Sequence, residues 1–82
     1  MDKQKAMIMI YLINRTLLIQ SNRIMQDCRI QIIDRDGNLI KELSMKNQYV
    51  STFPLMLDDG KYLVRVKSES GKKEKQIFIS SK

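Results

Sequence analysis

The chain has 82 residues, the size of one small domain, and its 43% hydrophobic and 29% charged residues are typical of a folded globular protein. It contains no histidine and a single cysteine, which excludes an intramolecular disulfide, a zinc site with the usual ligands and a Ser-His or Cys-His nucleophile pair. We therefore predict a single domain over residues 1–82, without catalytic residues, bound metal or cofactor.

An apolar stretch over residues 6–13 predicts the first strand. Asn14 and Arg15, a pair that favours a tight turn, separate it from a second strand over residues 16–20. The stretch is far shorter than the roughly twenty residues that cross a bilayer, so we expect no transmembrane segment. A signal peptide is the alternative for this charged and then apolar start, although no small-x-small cleavage site follows it. If the protein is exported, we expect its signal to have preceded these residues.

The rest of the chain also shows strand patterns separated by turns. The predicted elements begin with a loop or corner over 21–27, in which Ile24 and Met25 are buried, and continue with strands over 28–32 and 39–43. A loop over 44–48 and a strand over 49–53 that ends at Pro54 follow. The next strand carries Tyr62, Val64 and Val66 on one face, and the last strand covers 73–80. Turns are predicted at residues 34–38, 58–60 and 68–72. About seven short antiparallel strands with this spacing predict an all-β sandwich like those of immunoglobulin and fibronectin type III domains.

The turn at residues 34–38 raises the question of a metal site, because Asp34, Asp36 and Asn38 bring oxygen atoms around Gly37. A calcium loop of the EF-hand type needs a glutamate six residues after its glycine, and Leu43 stands there. An Asp-Gly pair between apolar strands is instead typical of a hairpin, in which glycine takes a positive φ. We therefore interpret Asp34 and Gly37 as turn residues.

A second motif lies at Leu57, Gly60 and Tyr62, which have the L-x-x-G-x-Y spacing of a tyrosine corner. In such a corner the tyrosine hydroxyl bonds to the backbone a few residues upstream, while its ring is buried. We predict a structural role for these residues, and a turn role for Gly71.

Most of the net charge of +6 lies after residue 60. The cations of this possible basic surface are Lys61, Arg65, Lys67, Lys72, Lys73 and Lys75. One interpretation is a nucleic-acid-binding β-barrel that loses affinity steeply with salt, although the small number of aromatic residues among the cations disfavours it. The other is that alternating cations keep a β surface soluble and protect its edges from pairing.

Turn glycines and core residues form a pattern of three segments: Asp34-x-x-Gly37-Asn38-Leu39-Ile40, Leu57-x-x-Gly60-x-Tyr62-Leu63-Val64-x-Val66, and Gly71-Lys72 with Ile77 and Ile79. This pattern resembles two related groups of Bacteroidetes domains. The groups are short exported β-sandwich domains of unknown function and the C-terminal sorting domains of the type nine secretion system. The resemblance covers about the last two thirds of the chain and implies export to the periplasm, the outer surface or the medium, with an immunoglobulin-like fold.

Together these features predict a non-catalytic, exported interaction or accessory module. We expect it to bind a protein or a glycan through a sheet edge or a loop end. The alternatives are the basic nucleic-acid-binding barrel and a domain that acts as a secretion signal. The apolar first strand is the surface that we predict to be exposed, and a homodimer through this edge strand is a further expectation.

Overall fold

The computed structural model describes residues 7–69 and 71–80, which form seven β-strands and no helix. The strands are β1 (Ile8–Ile13), β2 (Thr16–Met25), β3 (Cys28–Ile33), β4 (Leu39–Met45), β5 (Gln48–Pro54), β6 (Gly60–Ser68) and β7 (Gly71–Ile79). The prediction of an all-β fold with about seven short strands is confirmed. The start of the predicted first strand at Ala6, the region of the alternative signal peptide over 1–6, and Ser70 of the predicted last turn lie outside the described residues.

The strands form two sheets in which every neighbouring pair is antiparallel. The first sheet has the order β1-β2-β5 and the second has the order β4-β3-β6-β7. The chain crosses between the sheets at residues 26–27, 46–47 and 55–59. The two short crossings lie side by side, because the N–H of Asn47 donates to the carbonyl of Gln26 at 3.2 Å. Both sheets therefore meet closely at this end of the sandwich.

The core lies between the sheets and is formed by the alternate residues of each strand. Cys28, Ile30 and Ile32 of β3 have no exposed surface, and strand pairing places Val66 and Val64 beside the last two. Burying such a side chain contributes about 1.5–3 kcal/mol, so the alternation fixes which face of each strand points inward. The buried apolar residues are Ile8, Ile10, Leu17, Ile19, Met25, Cys28, Ile30, Ile32, Met45, Leu55, Tyr62, Val64, Val66, Ile77 and Ile79.

Strand β2 is longer than the sequence predicts. We expected a loop or corner over residues 21–27, but the strand continues to Met25. Ser21 and Met25 are buried, whereas Ile24, which we expected to be buried, is 59% exposed. The register against β5 shifts within this stretch. A bulge lets a strand accommodate extra residues, so the polar residues here project outward without ending the strand.

The predicted loop at residues 44–48 is also too long. Strand β4 reaches Met45 and β5 begins at Gln48, which leaves only residues 46–47 for the crossing. Met45 is almost completely buried and pairs with Cys28, so its burial extends the strand beyond the point at which the sequence becomes polar. Asn47 takes a positive φ of 55°, which asparagine tolerates better than most residues and which allows the tight crossing.

Candidate functional site

The carboxylate of Asp34 holds the turn between β3 and β4. Its Oδ1 accepts hydrogen bonds from the N–H groups of Asp36 and Asn38, each at 2.9 Å. These bonds, most of all that from Asn38, favour the charged form and lower the pKa of Asp34 below its ordinary value of 3.8. Gly37 has a φ of +87°, a conformation that favours glycine. In the described part of the chain, no three His, Cys, Asp or Glu side chains are close enough together to hold a metal ion.

The hydroxyl of Tyr62 forms the hydrogen bond of a tyrosine corner. It donates to the carbonyl of Asp58 at 2.7 Å, four residues upstream. The Tyr62 residue is only 9% exposed, so the ring and its hydrogen bond are largely shielded from water. Leu57 packs against the core from the same connection, and Gly60 takes a φ of +156° that L side chains rarely adopt. The corner therefore holds the connection between β5 and β6 at the entry to the second sheet.

Arg15, which the sequence predicts only as part of the first turn, also reinforces this corner. Its guanidinium donates to the carbonyl of Leu57 at 3.1 Å and to the carboxylate of Asp59 at 3.1 Å. Its own carbonyl accepts from the N–H of Leu55 at 2.8 Å. The turn between β1 and β2 is thereby tied to the connection between β5 and β6. No local pattern relates residues that lie 44 positions apart, so the sequence carried no signal for this contact.

Glu69 makes the corresponding link at the opposite end of the sandwich, and sequence reasoning missed it as well. Its carboxylate accepts from the N–H of Gln26 at 2.9 Å and from that of Asp27 at 3.3 Å. These bonds, with that from Gln26 the largest cause, lower the pKa of Glu69 below its ordinary value of 4.5. The end of β6 is therefore fastened to the crossing from β2 to β3.

The six cations of the predicted basic surface do not share one face. Alternation along the strands places Lys61, Arg65, Lys67 and Lys72 on the outer face of the four-stranded sheet, and Lys73 and Lys75 on the core-facing side of edge strand β7. Arg65 is compensated by Glu74, whose carboxylate accepts from its Nε at 2.7 Å. Lys61 lies over the ring of Phe78 at 5.8 Å. The structure therefore divides the predicted surface into groups with different surroundings.

Three cations do lie in one row across the outer face of the four-stranded sheet. Strand pairing places Lys67 between Arg29 on β3 and Lys72 on β7. Neighbouring strands are about 4.8 Å apart, so these side chains share one narrow region. Arg29 also has the carboxylate of Glu42 at 3.6 Å from its Nε. The predicted basic surface did not include Arg29, because only strand pairing brings it beside Lys67.

Lys75 covers part of the opening between the edge strands β1 and β7. Its Nζ donates to the carbonyl of Ile10 at 2.9 Å and lies 5.7 Å from the centre of the Tyr11 ring.

The prediction that the apolar first strand is exposed is wrong for Ile8 and Ile10, which are buried in the core. Its exposed apolar side chains are those of the other face, such as Ile13 at 59%. The homodimer through this strand stays a prediction.

The outer face of the three-stranded sheet has a different chemistry, because none of its nine paired positions is charged. These positions are Met9, Tyr11, Ile13, Thr16, Leu18, Gln20, Val50, Thr52 and Pro54, and we call this surface the neutral face. Tyr11 and Val50 are 41% and 39% exposed. The solvated face of an antiparallel sheet is usually polar, whereas grouped apolar side chains on a surface are typical of interaction sites.

Cys28 is separated from these surfaces. It has no exposed surface, and burial, followed by the nearby charges of Glu69 and Asp27, raises its pKa to about 11. The thiolate is the reactive form of cysteine, so this side chain acts as a small core residue.

The two antiparallel sheets and the tyrosine corner define an immunoglobulin-like β-sandwich. The chain is similar to the crystal structure, at 1.70 Å resolution, of a DUF3244 family protein with an immunoglobulin-like β-sandwich fold from Bacteroides vulgatus ATCC 8482. The two superpose with a TM-score of 0.77 and 15% sequence identity, over 89% of this chain and 83% of that chain. The predicted immunoglobulin-like fold is confirmed.

The family model of the secretion system C-terminal sorting domain matches residues 13–80. This match spans most of the chain, and the chain belongs to that family. The resemblance to Bacteroidetes immunoglobulin-like domains is confirmed, and membership of a sorting-domain family implies an exported protein. Comparison with curated protein sequences gives no match. Among the described residues there is no helix that could span a membrane.

Proposed function

We propose that this domain is a non-catalytic sorting module of an exported protein, and that a protein of the secretion machinery binds it as a folded unit. The observation that carries the proposal is the family match over residues 13–80, which includes strands β2 to β7. A signal read as a linear peptide would need only a short exposed segment. Here the match covers six of the seven strands whose alternate residues form the core, which favours recognition of the folded sandwich.

We further propose that the neutral face is the surface on which the machinery binds. Its side chains lie on three adjacent strands and are held by a single hydrogen-bonded sheet. A partner that covers it removes apolar area from water, and none of the nine side chains is charged, which is the favourable case for protein association. The final location that follows from this proposal is the outer surface or the medium.

The proposal is tested by attaching the chain to the C-terminus of a reporter enzyme that carries an inner-membrane export signal. The fusion is expressed in a Bacteroidetes host with a type nine system and in a matched strain that lacks its outer-membrane pore. We expect reporter activity outside the cells of the first strain and retention in the periplasm of the second. Equal retention in both strains would show that the chain does not direct secretion.

Two glutamines provide a matched pair of variants for the neutral face. Gln20 lies on the neutral face and Gln31 lies on the outer face of the other sheet, and both are half-buried on interior strands. Gln20→Lys places a charge in the proposed interface and is expected to lower secretion roughly tenfold, which corresponds to about 1.4 kcal/mol of binding. Gln31→Lys, beside Glu42, is expected to leave secretion unchanged. Equal effects of the two substitutions would remove the neutral face from the proposal.

A further inference from the structure

The four edge strands of the sandwich are not equally protected against pairing with another strand. At β1 the outward carbonyl of Ile10 is occupied by the Lys75 ammonium group. Edge strand β7 carries Lys73 and Lys75 on its core-facing side, and edge strand β4 carries Lys41 there. Inward-pointing lysines of this kind hinder the approach of a further strand, because pairing would desolvate their charge. Three of the four edges therefore carry or contact such a lysine.

Edge strand β5 is the exception. Its seven residues, Gln48–Pro54, include no charged side chain, and each of them is exposed or half-buried. It pairs with β2 on one side only. An uncharged edge with accessible backbone groups is the kind of edge to which an additional strand can pair.

The direction of the β5 backbone groups follows from a hydrogen bond made by the residue directly after the strand. The N–H of Leu55 points toward β2, because it donates to the carbonyl of Arg15 at 2.8 Å. Backbone groups alternate in direction along a strand, so those of Phe53 and Ser51 also point toward β2. Those of Val50 and Thr52 point away, to the open edge. Pro54 belongs to this second set, and proline, which has no N–H, is found where that group would otherwise face solvent.

The surroundings of the open edge specify the side chains of a matching strand. On the outer side, Val50 and Thr52 belong to the neutral face, so an added strand extends this face if it presents apolar residues there. On the core-facing side, strand pairing places the partly buried Phe53 of β5 and, on β4, the partly buried Leu43 and the half-buried Lys41. Within residues 7–69 and 71–80, Lys41 forms no ion pair. A carboxylate on the added strand would supply one.

We propose that the open edge of β5 binds an extended strand of a partner protein, with apolar side chains on the neutral face and a carboxylate directed at Lys41. A second copy of this chain fits less well, because its β5 strand contains no carboxylate that could pair with Lys41. This inference rests on the proposed function only in taking the partner to be a protein. The contact that it adds is backbone pairing at the β5 edge, whereas the proposed function concerns side-chain contacts on the neutral face.

The probe for this edge is an acetylated nine-residue peptide of alternating valine and glutamate, titrated into the isotope-labelled full chain. Nuclear magnetic resonance spectra are expected to show saturable shifts of the Val50 and Thr52 amides, with weak affinity because one added strand buries less than the roughly 1,000 Å² of a stable interface. The control peptide, with lysine in place of glutamate, is expected to bind at least tenfold more weakly. Shifts confined to the row of Arg29, Lys67 and Lys72, or no saturable shifts, would overturn the proposal.

Two variants locate the bound strand. Thr52→Pro removes the outward N–H in the same manner as the native Pro54 and is expected to abolish binding, whereas Thr52→Val keeps that N–H and is expected to retain it. Lys41→Glu is expected to reverse the preference, so that the lysine peptide binds more tightly than the glutamate peptide. An unchanged preference would overturn the assignment of Lys41, even if Thr52→Pro failed to fold.

Sedimentation equilibrium of the unliganded chain tests the alternative occupant. A monomer over the concentration range of the titration is expected, and a dimer that Thr52→Pro dissociates would assign the edge to a second copy and contradict the proposal. All these measurements use the isolated chain, whereas the secretion assay needs the machinery of a host cell. A failure of the strand-binding proposal is therefore distinguishable from a failure of the sorting proposal.

Discussion

Single side chains hold the turns of this sandwich through hydrogen bonds to backbone groups. Asp34 caps the turn after β3, Tyr62 bonds back to Asp58, and Arg15 bonds to Leu57. Unpaired backbone groups are costly where water is excluded, so the bonds to the part-buried carbonyls of Asp58 and Leu57 remove a penalty that this connection would otherwise carry. A chain of 82 residues with one cysteine has a small core and no intramolecular disulfide, so such contacts are a sizeable part of its stability.

At the residue scale we predict that Tyr62→Phe destabilises the fold without changing it. The substitution keeps the ring but leaves the Asp58 carbonyl without its donor, so the free energy of unfolding is expected to fall by about 1–2 kcal/mol. Urea denaturation followed by circular dichroism measures the change. Tyr49→Phe is the control, because Tyr49 is 53% exposed. This substitution is expected to change the free energy of unfolding by less than about 0.5 kcal/mol. Equal effects would refute a stabilising role for the tyrosine corner.

Among the elements, a few hydrogen bonds at the crossings join one sheet to the other. The crossings at 26–27 and 46–47 are hydrogen-bonded to each other, and Glu69 fastens the end of β6 to the first of them. The edge strands differ in charge. A lysine lies at the open side of β1, β4 and β7, and β5 has none. The consequence is a sandwich whose elements are held at both ends and in which one edge differs in charge from the other three.

The Glu69 contact leads to a prediction on the pH dependence of stability. Because the pKa of Glu69 is lower in the folded chain than its ordinary 4.5, the contact stabilises the fold fully above that value. This contribution is lost as the pH falls through the lower, folded-state pKa. Glu69→Gln removes the charge, so we expect the difference in unfolding free energy between the wild-type chain and this variant to be largest at neutral pH and to shrink in acid.

Denaturation curves at a series of pH values from neutral to strongly acidic measure this difference. Asp34, whose pKa is also lowered, stays in both proteins and cancels in the comparison. Glu74→Gln serves as a second reference, since it removes a carboxylate that pairs with Arg65 on the sheet surface and not with a crossing. A difference between wild type and Glu69→Gln that is constant over the whole range would contradict the assigned role of the Glu69 charge.

For the molecule as a whole, the two outer faces of the sandwich differ in charge. The neutral face has no charged residue, whereas the outer face of the four-stranded sheet carries the row of Arg29, Lys67 and Lys72 together with the Arg65–Glu74 pair. The net charge of +6 opposes self-association, whereas none of the nine positions of the neutral face is charged. The proposed contact with the secretion machinery follows from this separation.

Because the Cys28 thiol is buried, the rate at which it is chemically labelled measures how cooperatively the whole fold opens. Cys28 has no exposed surface and a pKa raised to about 11, so an aromatic disulfide reagent is expected to label it only after the sheets separate. We expect labelling at neutral pH to be slowed roughly 10³-fold or more relative to the unfolded chain and to accelerate with denaturant. The double variant Cys28→Ala with Ser44→Cys, which moves the thiol to an exposed position, should react at the rate of a free thiol. Rapid labelling of native Cys28 would show that the core opens locally.

Several parts of the fold could be predicted because their signals are local. Alternation at Cys28, Ile30 and Ile32 indicates a strand with one buried face, and the Asp-Gly pair at Asp36 and Gly37 indicates a turn. The end of β2 could not be predicted in this way. There the polar residues after Gln20 have a loop-like composition, and only the burial of Ser21 and Met25 within the assembled core shows that the strand continues.

The candidate surfaces could be predicted only in part. The abundance of cations after residue 60 is visible in the sequence, but the grouping of Lys67 with Arg29 depends on the pairing of β6 with β3. The neutral face likewise joins residues of β1 and β2 to residues of β5. In the chain, β5 is separated from β2 by β3 and β4, which belong to the other sheet. The apolar sequence of β1 predicts that strand as the open edge, whereas the contact from Lys75 to Ile10 leaves β5 as the uncharged edge.

The sequence by itself determined the all-β class, the number of strands, the turns and the inward face of β3 and β6, because each depends on side-chain alternation or on backbone preferences within a few residues. Tertiary structure alone decided which strands are neighbours, which charges are compensated and which edge stays open. These properties depend on contacts between residues far apart in the chain, and such contacts form only when burial of the common core brings the two sheets together.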